Sequence, residues 1–156
     1  MSVLELVVLV CSVPQMLTQG RYSWVSERLE EWISESGELA VTESQQKVLL
    51  VSFDRELSGI EASVRLCEES KRHFSGLLVA ADFSQLLAVG KDFPDLQLQR
   101  SVVALGTAWK DRFHGNHHVA YLGSHGDKRF VGLNYTSSEQ TLRWPAGTIF
   151  LCYEQI

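Results

Sequence analysis

Cysteine and proline are scarce in this chain, at three each in 156 residues. Cys11, Cys67 and Cys152 are widely spaced, and none belongs to a Cys-x-x-Cys pair. An odd, scattered set of this kind argues against a disulfide framework and points to a reducing compartment, the cytoplasm. Each cysteine sits in an apolar run, where a free thiol behaves as a small core residue. A long apolar run is also missing. Residues 3–10 are aliphatic, but they include Glu5, lack a basic start and are too few to span a bilayer. They read as a buried strand rather than a signal peptide, and no membrane contact is expected.

Several fingerprints are absent as well. There is no Gly-x-Gly-x-x-Gly, no Gly-x4-Gly-Lys-Ser/Thr and no Gly-x-Ser-x-Gly. Their absence argues against a standard dinucleotide site, a P-loop and a hydrolase nucleophile elbow. No internal repeat or low-complexity tract interrupts the chain. A basic surplus is lacking too, since the formal net charge is −5. Residues 1–100 carry nine basic and fifteen acidic side chains, and residues 101–156 five basic and four acidic. That balance argues against nucleic-acid binding over the whole surface. Lys110, Arg112, Lys128 and Arg129 read as solvated loop charges, with a local basic patch as the alternative.

What is present suits one domain over residues 1–156, with 45% apolar and 21% charged residues. Residues 4–13 form a continuous aliphatic run, as expected of a strand covered on both faces. Val25, Leu29, Trp32 and Ile33 recur at helical spacing within residues 23–34, with Glu27, Arg28, Glu30 and Glu31 opposite. Residues 48–53 make a second strand. Ser58 and Glu61 have the spacing of a capping box, which starts a helix running to about Phe74 with Ile60, Val64, Cys67 and Phe74 on one side. Residues 77–81 make a third strand, followed by a short helix near Gln85. After Pro94 the pattern becomes strands at 99–109, 118–123, 129–135 and 148–153, joined by short links rich in turn residues. The expected fold is α/β, with α+β as the alternative: one mixed sheet, an N-terminal βαβαβ part, an antiparallel β-meander, and helices packed on the sheet. From the crossover lengths, the first three strands are expected to run parallel.

Two constellations carry chemistry. His114, His117, His118 and His125 lie in one short window flanked by Asp111 and Asp127. Imidazole binds transition metals and moves protons near neutral pH. Zinc wants about four ligands, and His114 and His118 are the metal candidates. His117, His125 and Asp127 are the candidates for proton transfer. The plain alternative is a solvated loop with incidental histidines. The second constellation rests on parallel strands. Ser12, Asp54 and Asp82 each follow a strand and would meet at the carboxyl edge of the sheet, where α/β ligands bind. Two carboxylates there would hold Mg²⁺, whereas as turn residues they would need no ligand. Trp24 and Trp32, eight apart on the expected helix, are candidate interface anchors.

These features favour a small cytoplasmic binding or regulatory module that engages a protein partner, a second copy or a small ligand through Ser12, Asp54, Asp82, Arg112 and Lys128. The second reading is a metal-assisted hydrolase or phosphodiesterase that uses the histidine cluster and a divalent metal, with Arg112 or Lys128 balancing an anionic substrate. The third is single-stranded nucleic-acid binding through the late aromatic and basic strands.

Overall fold

The aliphatic runs and the late strands all join one sheet. A computed structural model describes residues 1–36, 43–110, 117–135 and 143–156. Among the described residues the elements follow in the order β1 (Ser2–Val10), α1 (Val13–Gln19), β2 (Trp24–Val25), α2 (Glu27–Ser36), β3 (Ser44–Ser52), α3 (Gly59–His73), β4 (Leu77–Ala80), α4 (Phe83–Asp92), α5 (Leu96–Gln99), β5 (Val102–Lys110), β6 (His117–His125), β7 (Lys128–Tyr135) and β8 (Ile149–Gln155). The sheet runs β1-β3-β8-β5-β6-β7-β2, with β4 also paired to β8. The expected architecture is present: a mixed sheet, an N-terminal β-α-β-α-β run and an antiparallel β5–β6–β7 meander with helices packed on it. The last strand does not extend the meander. It enters the middle of the sheet, antiparallel to β3 and parallel to β5.

Strand direction departs from expectation. β1 pairs antiparallel with β3, Ser2 opposite Ser52 and Val10 opposite Ser44. β3 and β4 are each antiparallel to β8, so they share a direction that β1 opposes. The segment between β1 and β3 is not a single crossover helix. It visits β2 at the far edge of the sheet and returns, so the rule that makes βαβ units parallel does not apply.

Helices cover the two faces unequally. α1, α2 and α4 bury Val13, Met16, Leu29, Ile33, Leu86 and Val89 against one face. On the other face α3 packs Ala62 and Leu66 over Leu49, Val51 and Phe150. α3 starts at the expected capping box, with Ser58 Oγ accepting from the Glu61 amide at 3.1 Å. Its buried side is Gly59, Ala62, Leu66 and Ser70, however, while Ile60, Val64 and Cys67 face outward. The small side chains let the helix lie close to the sheet, and that closeness outweighs the bulkier stripe. Cys67 is therefore not a core residue, although Cys11 and Cys152 are. Among the described residues no helix is long and apolar enough to cross a membrane.

The helix expected from residue 23 begins later, and this separates the two tryptophans. Trp24 lies in β2 opposite Phe130 and is 53% exposed. Trp32 is only 8% exposed, stacked on Trp109 with centroids 5.7 Å apart. Truncation should distinguish them. Trp32→Ala is expected to cost about 3 kcal/mol and Trp24→Ala well under 1 kcal/mol, measured by urea unfolding. Equal losses at the two positions would contradict this placement.

Candidate functional site

β6 carries three of the clustered histidines, and a strand spreads them apart. His117 and His125 stand at its two ends, about 27 Å apart at strand rise. His118 points to the opposite face from His117 and is buried, its ring 5.4 Å from that of Trp32. Among the described residues no three His, Cys, Asp or Glu side chains stand close enough to hold a metal ion. The expected histidine cluster therefore does not form there. His114, Asp111 and Arg112 lie outside the described residues. Asp127 sits in the exposed two-residue hairpin loop between His125 and Lys128, where Gly126 takes φ +62°. A positive φ at the first loop residue favours glycine and matches the twist of the strands.

Ser12, Asp54 and Asp82 do not share a rim. Ser12 caps α1, and its Oγ accepts from the Gln15 amide at 3.4 Å. Asp82 caps α4, accepting from the Gln85 amide while Gln85 Oε1 accepts from the Asp82 amide, both at 2.9 Å. Asp54 is exposed just past β3, near the start of β8. Ser12 leaves the sheet where β3 begins, and Asp54 leaves it where β3 ends. The antiparallel β1 thus separates residues that parallel strands would have gathered.

Three other candidates do come together. Trp24, His125 and Lys128 line a groove of about 540 Å³ with Ser23, Arg129 and Phe130. His125 and Lys128 face each other across the β6–β7 hairpin, and β2 runs parallel to β7 with Trp24 opposite Phe130. The Phe130 ring is the hub. His125 stacks on it at 5.0 Å, while Trp24 and Tyr121 meet it edge-on at 5.6 and 5.8 Å. Tyr121 in turn meets Trp144 at 5.4 Å. Trp144 is buried in the core that α3 shares and Tyr121 packs against that core, so the row of rings runs from beneath α3 out to the hairpin. Gly123 and Gly132 make room for them, because a Cβ at Gly123 would stand 2.6 Å from the Phe130 ring and one at Gly132 2.8 Å from Tyr121. Burial pushes the Tyr121 hydroxyl above its usual ionisation range.

The floor of the hairpin is held from behind. Arg129 points to the helix-covered face, where its Nη atoms donate to the carbonyls of Gly20 and Gly90 and to Gln97 Oε1. Gln97 Nε2 donates onward to the carbonyls of Gly123 and Phe130 at 2.8 and 3.1 Å. Phe130 carried only a weak sequence signal, as one aromatic in a strand, and Arg129, expected as a solvated loop charge, is instead a half-buried residue of β7. The signal that bears on the site is the alternation Lys128-Arg129-Phe130, which sends Lys128 and Phe130 to the open face and Arg129 inward. Comparison with protein families, characterised proteins and solved structures finds no match to this chain.

Proposed function

We propose that the chain is a binding module and that the Trp24–His125–Lys128–Phe130 groove takes a small ligand with a planar ring and an anionic group, of the kind a nucleoside monophosphate presents. The juxtaposition of a half-exposed indole with Lys128 across one groove carries this reading. An indole with a free face stacks planar rings, and such stacking is worth about 1–3 kcal/mol. Lys128 supplies a cation where the ring's anionic substituent would lie. The volume falls within the roughly 300–1,000 Å³ of ligand pockets. Net charge −5 favours a small anion held by local cations over a long polyanion held by the whole surface. Three unpaired thiols, Cys67 exposed among them, fit a cytoplasmic setting. The hydrolase reading draws no support from the separation of His117 and His125.

Quenching of tryptophan fluorescence by adenosine monophosphate tests the proposal, with adenosine and inorganic phosphate as separate arms. The nucleotide is expected to bind more tightly than either fragment. Trp24→Ala should weaken it about tenfold. Lys128→Gln should reduce the preference for the nucleotide over adenosine and flatten the salt dependence. No saturable quenching by the nucleotide up to ~5 mM, or binding untouched by Trp24→Ala, would sink this reading.

A further inference from the structure

A second cavity, of about 550 Å³, lies at the opposite edge of the sheet from the Trp24 groove. Strand register builds its floor. Leu4 stands opposite Leu50, and Ser52 stands opposite Ile149. Leu50 and Ser52 share a face, because side chains alternate along a strand. Leu50 and Ile149 belong to the core beneath the helices. Leu4 continues that face onto the edge strand, yet it is 55% exposed, and the cavity rather than a helix stands over it. The end of α4, the turn after it and α5 form the wall. Three polar groups at this cavity lack partners. Ser52 is only 8% exposed, and among the described residues no hydrogen bond reaches its Oγ. A hydroxyl withdrawn from water normally finds a partner. Asp95 and Arg100 flank α5, at its N-cap and C-cap. Asp95 makes no side-chain capping bond, and among the described residues neither it nor Arg100 joins an ion pair. Asp92 on the same wall is already engaged, by Lys91 Nζ at 2.9 Å and by the Leu9 amide at 2.8 Å. The cavity thus offers one free anion, one free cation and one buried hydroxyl around an aliphatic floor.

We infer that this cavity binds a small zwitterion with an apolar body, the chemistry that a free apolar amino acid and a short apolar peptide share. The ligand's carboxylate pairs with Arg100, whose planar fork matches it with two parallel bonds. Its ammonium pairs with Asp95. At 1.5 Å per residue the two charged residues stand about 7.5 Å apart along α5, so both side chains reach one small ligand. The ligand's aliphatic part covers Leu4, Leu50 and Ile149, and Ser52 Oγ supplies a hydrogen bond at the floor. A plain carboxylate would face the like charge of Asp95, and a plain amine that of Arg100. Only a molecule with both charges satisfies the two together. The volume falls within the roughly 300–1,000 Å³ of small-ligand sites. The cavity shares no residue with the Trp24 groove, so the two sites stand or fall separately.

NMR titration of the isotope-labelled chain with leucine and with leucyl-leucine tests the inference, and the tighter of the two identifies the source. At least one is expected to shift the backbone amides of Leu50, Ser52 and Arg100 saturably, with Kd on the order of 1 mM. The amides of Trp24 and Lys128 should stay in place. Isocaproate, which lacks the ammonium, and isoamylamine, which lacks the carboxylate, should each bind about tenfold more weakly than leucine. Asp95 and Arg100 are exposed, and their side chains make no hydrogen bond or ion pair among the described residues, so Asp95→Asn and Arg100→Gln should fold normally. Arg100→Gln should remove the advantage of leucine over isoamylamine, and Asp95→Asn its advantage over isocaproate. No saturable shift of these amides up to ~10 mM of either ligand, isocaproate binding as tightly as leucine, or binding untouched by Arg100→Gln would overturn the inference.

Discussion

Replacing Arg129 with methionine is expected to destabilise the chain by about 4 kcal/mol and to lower Tm by roughly 12 °C. The guanidinium donates to the Gly20 and Gly90 carbonyls at 2.5 Å each and to Gln97 Oε1 at 3.0 Å. Gly20 is the C-cap of α1, and Gly90 lies in the last turn of α4. Carbonyls at helix C-termini lack intrahelical donors and carry partial negative charge. One cation thus ties two helix ends and α5 to β7, with the Tyr22 ring 4.8 Å beneath it. Among the described residues no carboxylate pairs with it, so these carbonyl oxygens and the ring are its counter-charge. Methionine would fill much of the space and leave three acceptors without donors, at about 1–3 kcal/mol each. An adjoining groove of about 390 Å³ lets water reach part of the gap, which keeps the loss below the full sum. Lysine cannot fork to three acceptors, so Arg129→Lys should lose about half as much. Gln97→Met in the same background should be less than additive, because the two side chains share one network. A loss below about 1 kcal/mol in urea for Arg129→Met would rule the clamp out.

Strand identity was legible in the sequence because apolar runs such as 48–53 are covered on both faces and leave no other reading. The Ser58–Glu61 cap was legible because its chemistry is local. Strand direction was not, since β1 and β3 are joined through an excursion to the opposite edge that no composition signal marks. The central seat of β8 was hidden for a related reason: Ile149 pairs with Ser52, nearly a hundred residues away. Asp82 resembled a ligand after a strand. Its capping partner Gln85 stands three residues on and would have revealed the cap. Trp24, His125 and Lys128 were each singled out, but for three unrelated reasons. Only the parallel β2–β7 pair brings the indole beside the hairpin, and a two-residue strand leaves almost no trace in periodicity. Val64 and Cys67 show the opposite error, where good helical spacing marked the outer face.

Above pH 9 the chain is expected to lose stability steeply, and two buried groups account for most of the loss. The Cys152 thiol lies in β8 at the centre of the sheet, 3.8 Å from the Leu49 carbonyl, and burial pushes it from 9.0 up to about 12. Burial likewise pushes the Tyr22 hydroxyl from 10.0 to about 12, against the pull of the Arg129 cation. Both groups are neutral when protonated, and both hold their protons more firmly in the folded chain. Well below pH 9 both groups are protonated in the folded and unfolded chain alike, and this stabilisation is intact. Between the ordinary values and about 12 the unfolded chain releases protons that the folded chain retains, so ΔG of unfolding falls as pH rises. One unit of displacement corresponds to about 1.4 kcal/mol, which sets upper limits of about 4 kcal/mol for Cys152 and about 3 kcal/mol for Tyr22. Urea midpoints at successive pH values from 8 to 12 measure the slope. Cys152→Ala should remove the part that begins near pH 9 and Tyr22→Phe most of the part that begins near 10, leaving in the double variant only the slope owed to Tyr121, which burial also raises. A flat profile for the unaltered chain, or a double variant as steep as the unaltered chain, would contradict the assignment. Arg129→Met adds a sharper check. With the cation gone, Tyr22 is harder to ionise in the folded chain, so the loss should still begin near pH 10 but continue to higher pH.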